Sequence, residues 1–262
     1  MDNPICIDKI NLTYGDSAAW LEGPGTGAGG EALDRLREYA DIDVPKRSAC
    51  FEIGFGRGDL IKRLITERNC SAIAVDCSIA SWQSLVTWAY TQPVEQIHDV
   101  CAYIPSMKEW EENANNIMLY AAHADVSHMW IDNHTAVHDV CDFAFCTEAI
   151  EHLANPYYAV ALAKRLLKHG GVFMLSFPMP EDNLGYGGGE HAHVYPGFLT
   201  KDSFERFMRQ LYFKQTMRRE NGSSAWYVFK NYKGEGVHDV FSVISGNFTE
   251  EQLYGVLDRW EC

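Results

Sequence analysis

Two stretches of this 262-residue sequence carry side chains whose types and spacing could do chemistry. The first is Glu148-Ala-Ile-Glu151-His152. Two carboxylates and an imidazole within one helical turn can converge on a hard divalent cation, or act together as a proton-transfer set. A purely structural histidine is the third reading open at this point. The second stretch is Cys50-Phe-Glu52-Ile-Gly54-Phe-Gly56-Arg-Gly58-Asp-Leu60. A short apolar run ends in an acid, glycines follow at alternate positions, and Leu60, Ile61, Leu64 and Ile65 then recur at helical spacing. Strand, tight turn and helix in this order place a nucleotide-like ligand against a helix N-terminus. Glycine suits the turn because the backbone must bend through positive φ and approach the ligand with no Cβ in the way.

The elements that must position these groups read as alternating strands and helices. Ser71–Val75 is a second buried strand ending at Asp76, where an acid can accept hydrogen bonds from both ribose hydroxyls of a nucleotide. Ile117–Ala121 is a third strand leading to His123-Ala-Asp125. Val140–Cys146 is a fourth, and Thr147 to Leu153 runs off its C-terminal end. Asn155-Pro156 opens an amphipathic helix that Gly170-Gly171 stops, and Val172–Ser176 forms a fifth strand. A loop rich in proline and glycine, 178 to 197, carries His191 and His193. Thr200 caps a further helix (Phe204, Phe207, Met208, Leu211), and a hairpin over 213–219 and 225–229 turns at Asn221-Gly222. Thr249 and Gln252 cap a tail helix. Between the second helix and the third strand, residues 93–116 are longer than a crossover needs and read as an insertion. Its Tyr103, Pro105 and Trp110 either wall a site or pack as a satellite core. Ahead of all this, Gly23 to Gly30 holds too much glycine and a proline to form a helix or regular strand. It either connects or, with Tyr14 and Trp20, gates the site, and a helix with Leu33, Leu36 and Tyr39 follows. Every chemical marker therefore falls beyond the C-terminal ends of strands, where the ligand crevice of an open α/β sheet lies.

The Glu-x-Gly-x-Gly-x-Gly pattern of Glu52 to Gly58 resembles motif I of the class I S-adenosylmethionine (SAM) methyltransferases. Leu166-Leu-Lys-His-Gly-Gly-Val-Phe-Met-Leu-Ser-Phe-Pro178 is similar to that family's Leu-Lys-Pro-Gly-Gly stretch, with His169 replacing the usual proline. The resemblance spans about residues 48–230, leaving 1–47 as a gate or cap and 231–262 as an extension. It implies a Rossmann-like, doubly wound α/β fold: a mostly parallel sheet closed by an antiparallel C-terminal hairpin. It implies SAM as cofactor, lying over Glu52, Gly54, Gly56 and Gly58, with its ribose on Asp76, its adenine near Asp125, and Thr147 at the neighbouring strand end. Since the sulfonium of SAM is already activated, such an enzyme mainly aligns acceptor and methyl, and needs a base only if the acceptor must lose a proton. Glu-x-x-Glu-His followed by a downstream histidine resembles the metal site of small-RNA terminal 2′-O-methyltransferases and occurs in ubiquinone-pathway O-methyltransferases. That likeness implies Mg²⁺ or another divalent cation on Glu148, Glu151, His152 and His193 (or His191). Metal-free relatives use the same motif to line the pocket, which leaves His152, Glu151 and His193 as acceptor-side catalytic groups.

Composition bounds the alternatives. The 47% hydrophobic and 22% charged fractions are those of an ordinary globular chain. No apolar run is long enough to span a bilayer. The start, Met1-Asp2-Asn3-Pro4, lacks a signal core, so a cytoplasmic location is expected. The eight cysteines show no Cys-x-x-Cys, and several sit in strand-like runs as small buried hydrophobes. A formal charge of −14 argues against coating a phosphate backbone. A local basic groove could still come from Lys62, Arg63 and Arg68, or from Arg206, Arg209, Lys214, Arg218 and Arg219. The expected reaction is methyl transfer to a small-molecule acceptor at oxygen. An RNA ribose 2′-O-methyltransferase and a non-catalytic SAM-binding module are the rivals.

Overall fold

The computed structural model of the chain describes residues 28–92, 94–101, 106–113, 115–124, 126, 138–150, 153, 156–178, 201–221 and 224–232. The strand that leads into the glycine turn, β1 (Ala49–Ile53), lies at the middle of the sheet. It pairs in parallel with β2 (Ser71–Asp76) on one side and with β5 (Cys141–Thr147) on the other. A strand flanked on both edges and covered on both faces can only be a near-continuous apolar run, and β1 is buried from Cys50 to Ile53. Beyond β2 lie β4 (Met118–His123) and then β3 (Gln96–Cys101) at the edge, both parallel. Beyond β5 lie β6 (Leu167–Pro178), β8 (Ser224–Asn231) and β7 (Phe213–Asn221), the last two joined as an antiparallel hairpin. The eight-stranded order is β3-β4-β2-β1-β5-β6-β8-β7. This is the doubly wound, mostly parallel class I methyltransferase fold expected from the sequence, with an edge strand added.

That added strand is β3, and it comes from the segment expected to be an insertion. Gln-Ile-His-Asp-Val-Cys mixes polar and apolar residues, because an edge strand needs no continuous apolar run. The helix after it, α4 (Met107–Glu112), starts with a Ser106/Glu109 capping box. It buries Trp110 against Tyr120 of β4, with ring centroids 6.1 Å apart. Trp110 is thus core packing. Tyr103 and Pro105 lie outside the described residues, as do Tyr14, Trp20, Gly222 of the hairpin turn, Thr200 and the tail helix expected at Thr249.

The sheet has two cores. On one face, α1 (Ala28–Ala40), α2 (Asp59–Arg68) and α3 (Ile79–Ala89) bury Leu36, Leu60, Leu64 and Leu85 against Ala72, Phe145 and Trp226. On the other, α4, α5 (Pro156–Leu166) and α6 (Lys201–Gln210) bury Val160, Leu166, Phe204 and Phe207 against Phe51, Ile73 and Phe173. Cys50, Cys70, Cys141 and Cys146 are buried, as small apolar side chains would be. One expectation fails at the start of α1. Ala28, Gly29 and Gly30 form its first turn, where a glycine-rich run was expected to bar any helix. The reason is crowding. A Cβ on Gly29 would stand 3.3 Å from Glu52 Oε1, and one on Gly30 would stand 3.4 Å from Asp59 Cβ. Packing against the sheet outweighs the glycine penalty of roughly 1 kcal/mol per residue. Among the described residues no helix is long and apolar enough to cross a membrane.

The hairpin is held to the parallel part of the sheet by an aromatic cluster. Phe204 of α6 is fully buried and meets Phe177 and Tyr227 edge-on, both with centroids 5.0 Å away. Phe204→Ala is expected to cost about 3–5 kcal/mol, read as a fall in the urea midpoint at unchanged slope.

Candidate functional site

The glycine turn joins the C-terminal end of β1 to α2, and its three glycines do different work. Gly54 has φ 68°, and its N–H donates to Val75 O at 2.8 Å, tying the ends of β1 and β2. A Cβ there would sit 2.4 Å from Ala149 Cβ. Gly58, with φ 70°, caps α2, and a Cβ there would come 2.9 Å from Leu85 Cδ1. These two positions are closed by packing as well as by φ. Gly56 differs: φ is 51°, yet a Cβ would meet nothing within 4 Å. The middle glycine faces open space on the crevice side, which is what close approach of a ligand requires.

Two buried carboxylates flank the turn. Asp76, at the tip of β2, accepts from Gly56 N through Oδ2 and from Ser78 N through Oδ1, each at 2.7 Å. Burial raises its pKa, while those two hydrogen bonds and the neighbouring His123 pull the other way. Asp76 therefore holds the glycine loop and the start of α3 in place, a role its position as a ribose acid did not reveal. Glu52 is 1% exposed, and among the described residues its Oε2 has no hydrogen-bond partner. Burial, then the negative charges of Asp76 and Asp59, push its pKa well above the ordinary value. An unsatisfied carboxylate at such a depth is costly unless a donor or a cation fills the space beside it.

The wall over Glu52 is the first turn of α1. Besides the approach of Gly29 to Glu52, a Cβ on Gly29 would lie 3.5 Å from Thr147 Oγ1, and Thr147 is itself buried at the end of β5. The structure thus brings Glu52, Gly54, Gly56, Gly58, Asp76 and Thr147 to one end of the sheet, as the sequence predicted. It adds a residue the sequence reading passed over. His123 ends β4 level with Asp76, is buried, and places Nε2 3.0 Å from Cys77 O. Trp82, whose indole donates to Ala121 O at 2.9 Å, lies against the imidazole with centroids 6.0 Å apart. Only the strand register reveals that neighbour.

Of the groups read as metal ligands or bases, Glu148 is described. It follows β5 with φ 49°, and its N–H donates to Ser176 O at 2.9 Å. Ser224 Oγ donates to Glu148 Oε2 at 3.0 Å, while among the described residues Oε1 is buried without a partner, as is Ser176 Oγ one strand away. Among the described residues no cluster of three or more histidine, cysteine or acidic side chains could hold a metal ion. Glu151, His152, His191, His193 and Asp125 lie outside the described residues. The basic residues named from the sequence are largely engaged. Arg63 binds Asp34 at 2.7 Å and Glu67 at 2.8 Å, Arg68 binds Asp43 at 2.8 Å, and Arg218 binds Glu220 at 2.6 Å. Arg219 stacks on Tyr39, 4.5 Å from the ring centroid.

Comparison with known proteins gives this site its class. Residues 51–175 match the family model described as a methyltransferase domain. No protein with a curated description matches the chain in sequence. Among solved structures, the chain is similar to one from the complex of the Haloferax volcanii Trm112 methyltransferase activator and the methyltransferase named with it. That likeness has 13% identity and a TM-score of 0.62, over 86% of this chain and 98% of that one. It is also similar to the cyclase SpnF, at 11% identity and TM-score 0.56, over 86% of this chain and 95% of the other. At such identities the likeness shows the fold. The match gives residues 51–175 a methyltransferase domain and supports an enzyme. The described residues fit SAM: the unpartnered Glu52 carboxylate suits its ammonium, and the open face at Gly56 lets the backbone approach.

Two glycine variants separate packing from ligand approach. Gly54→Ala is expected to destabilise the fold by roughly 2–4 kcal/mol, through overpacking and backbone strain together. Gly56→Ala should cost only about 1–2 kcal/mol of strain, yet weaken SAM strongly, because its methyl enters the crevice. Denaturation and calorimetry on both variants check the contrast. Glu52 predicts a pH dependence. A carboxyl whose folded pKa lies above its ordinary value near 4.5 contributes stability below that value and loses it as pH rises toward the folded pKa. The unliganded enzyme should therefore weaken from mildly acidic to neutral pH, and Glu52→Gln should flatten that slope in urea titrations.

Proposed function

We propose that the chain transfers the methyl group of SAM to a small-molecule acceptor at oxygen. The observation that carries this reading is the pair of buried, unpartnered oxygens beyond the glycine turn, Glu148 Oε1 and Ser176 Oγ. An acceptor that brings its own donor, such as a hydroxyl, would satisfy them, whereas an apolar acceptor would leave both unpaired. The charge pattern supports a small acceptor over RNA. The net charge is −14, and Arg63, Arg68 and Arg218 are committed to carboxylates, leaving them little to offer a phosphate backbone.

In this reading SAM lies over Glu52 and the glycines. Each Asp76 oxygen accepts one backbone N–H and keeps lone-pair capacity for a ribose hydroxyl. Asp125 takes the adenine amine and Thr147 borders the cofactor. His152, Glu151 and His193 face the acceptor, one of them as the base that removes its proton. The motif spacing supports a second reading, in which Glu148, Glu151, His152 and His193 hold a divalent cation.

Calorimetric titration with SAM and S-adenosylhomocysteine, repeated with EDTA and with Mg²⁺, tests both. Micromolar binding that is indifferent to metal, followed by labelled methyl transfer into hydroxylated small molecules, is the expected result. A metal requirement for turnover would select the second reading. Label appearing in RNA and not in small molecules would overturn the small-acceptor proposal.

A further inference from the structure

One ion pair of α2, that of Arg63, joins this helix to α1, an element distant in sequence. Arg63 of α2 donates through Nη1 to Gly30 O at 2.7 Å, and through Nη1 and Nη2 to Asp34 at 2.7 and 3.2 Å. Gly30 and Asp34 belong to the first two turns of α1. The same guanidinium uses Nε and Nη2 for Glu67, one turn along its own helix. Its side chain is 28% exposed. The hydrogen bond to Asp34 is also the leading cause that lowers the Asp34 pKa.

What Arg63 holds is the turn that covers Glu52. A Cβ on Gly29 would press on Glu52 Oε1 at 3.3 Å, and one on Gly30 would reach contact with Asp59 Cβ at 3.4 Å. A carboxylate under such a cover is shielded from water, and its attraction to a cation rises as the local dielectric falls. Were α1 to lift, water would solvate Glu52 and compete with any ammonium.

We propose that Arg63 is a positioning residue for the amino-acid end of the cofactor. It seats the first turn of α1 through Gly30 O and Asp34, and so closes the pocket in which the buried Glu52 carboxylate receives the cofactor's ammonium. The inference rests on the SAM reading of the site. It assigns to a residue of α2 a binding effect exerted entirely through α1. Arg63 touches no part of the cofactor itself.

The test compares ligands that share the nucleoside and differ at the other end. S-adenosylhomocysteine carries the ammonium, and 5′-methylthioadenosine lacks the whole amino-acid end. In Arg63→Ala the affinity for S-adenosylhomocysteine should fall about ten-fold, a change worth about 1.4 kcal/mol, while 5′-methylthioadenosine binds as it does to the parent enzyme. Asp34→Asn should show the same selective loss in weaker form. Thermal unfolding of each variant identifies those that fold. Equal losses for both ligands, or no loss for either, would overturn the positioning role while leaving the cofactor reading standing. If the unaltered enzyme binds neither ligand, the cofactor reading fails first, and this inference fails with it.

Discussion

Everything at the cofactor end of the sheet depends on one buried charge. Glu52 sits at the end of the central strand, buried, with an oxygen that none of the described residues satisfies. A fold that only had to be stable would place an apolar residue there, because an isolated buried carboxylate costs more than any packing it provides. Its surroundings make the cost larger, since Asp76 and Asp59 are both near enough to oppose its ionisation. Such a site is stabilised by what it receives, and a cationic ligand relieves both the desolvation and the like-charge repulsion together.

The neighbouring geometry follows from that need. In the proposed reading a ligand must reach Glu52 unblocked, and the turn after β1 is left-handed at three glycines. Of these, Gly54 and Gly58 are compelled by contacts with Ala149 and Leu85, and Gly56 by the crevice. Asp76 keeps the turn open by accepting from Gly56 N and Ser78 N at once, so one carboxylate links the first and second crossovers. Above them α1 closes the space with glycine, since a Cβ on Gly29 would press on Glu52 Oε1 at 3.3 Å. Packing, hydrogen bonding and ligand access are here settled by the same few residues.

The fold by itself leaves the reaction open. A cyclase and a methyltransferase complex share this architecture at low identity, as expected when function resides in the groups at a site and the fold supplies the frame. The distinguishing groups lie beyond β5, β6 and β8. There Glu148 is held in a left-handed conformation by Ser176 and Ser224. A non-glycine residue kept at positive φ is a strained placement that its surroundings must enforce. Its two serine contacts come from β6 and β8.

Much of this was legible in the sequence because the signals are local. Cys50 to Leu60 announces strand, turn and helix through an apolar run, alternating glycines and a helical period, and Asp76 closes the next strand in the same way. What the sequence could not show depends on pairing between distant elements. The edge strand β3 escaped because Gln-Ile-His-Asp-Val-Cys mixes polar and apolar residues and has no continuous apolar run. The helical start of α1 escaped because glycine is unfavourable there in isolation, and only the nearness of Glu52 and Asp59 makes it necessary. That Asp76 stands level with His123, that Glu148 reaches Ser224, and that Arg63 clasps Gly30 are facts of register and packing. Residue types and spacing determined the kind of fold and the location of its ligand crevice. Tertiary contacts decided which of those residues are buried, which are left unpaired, and what covers them.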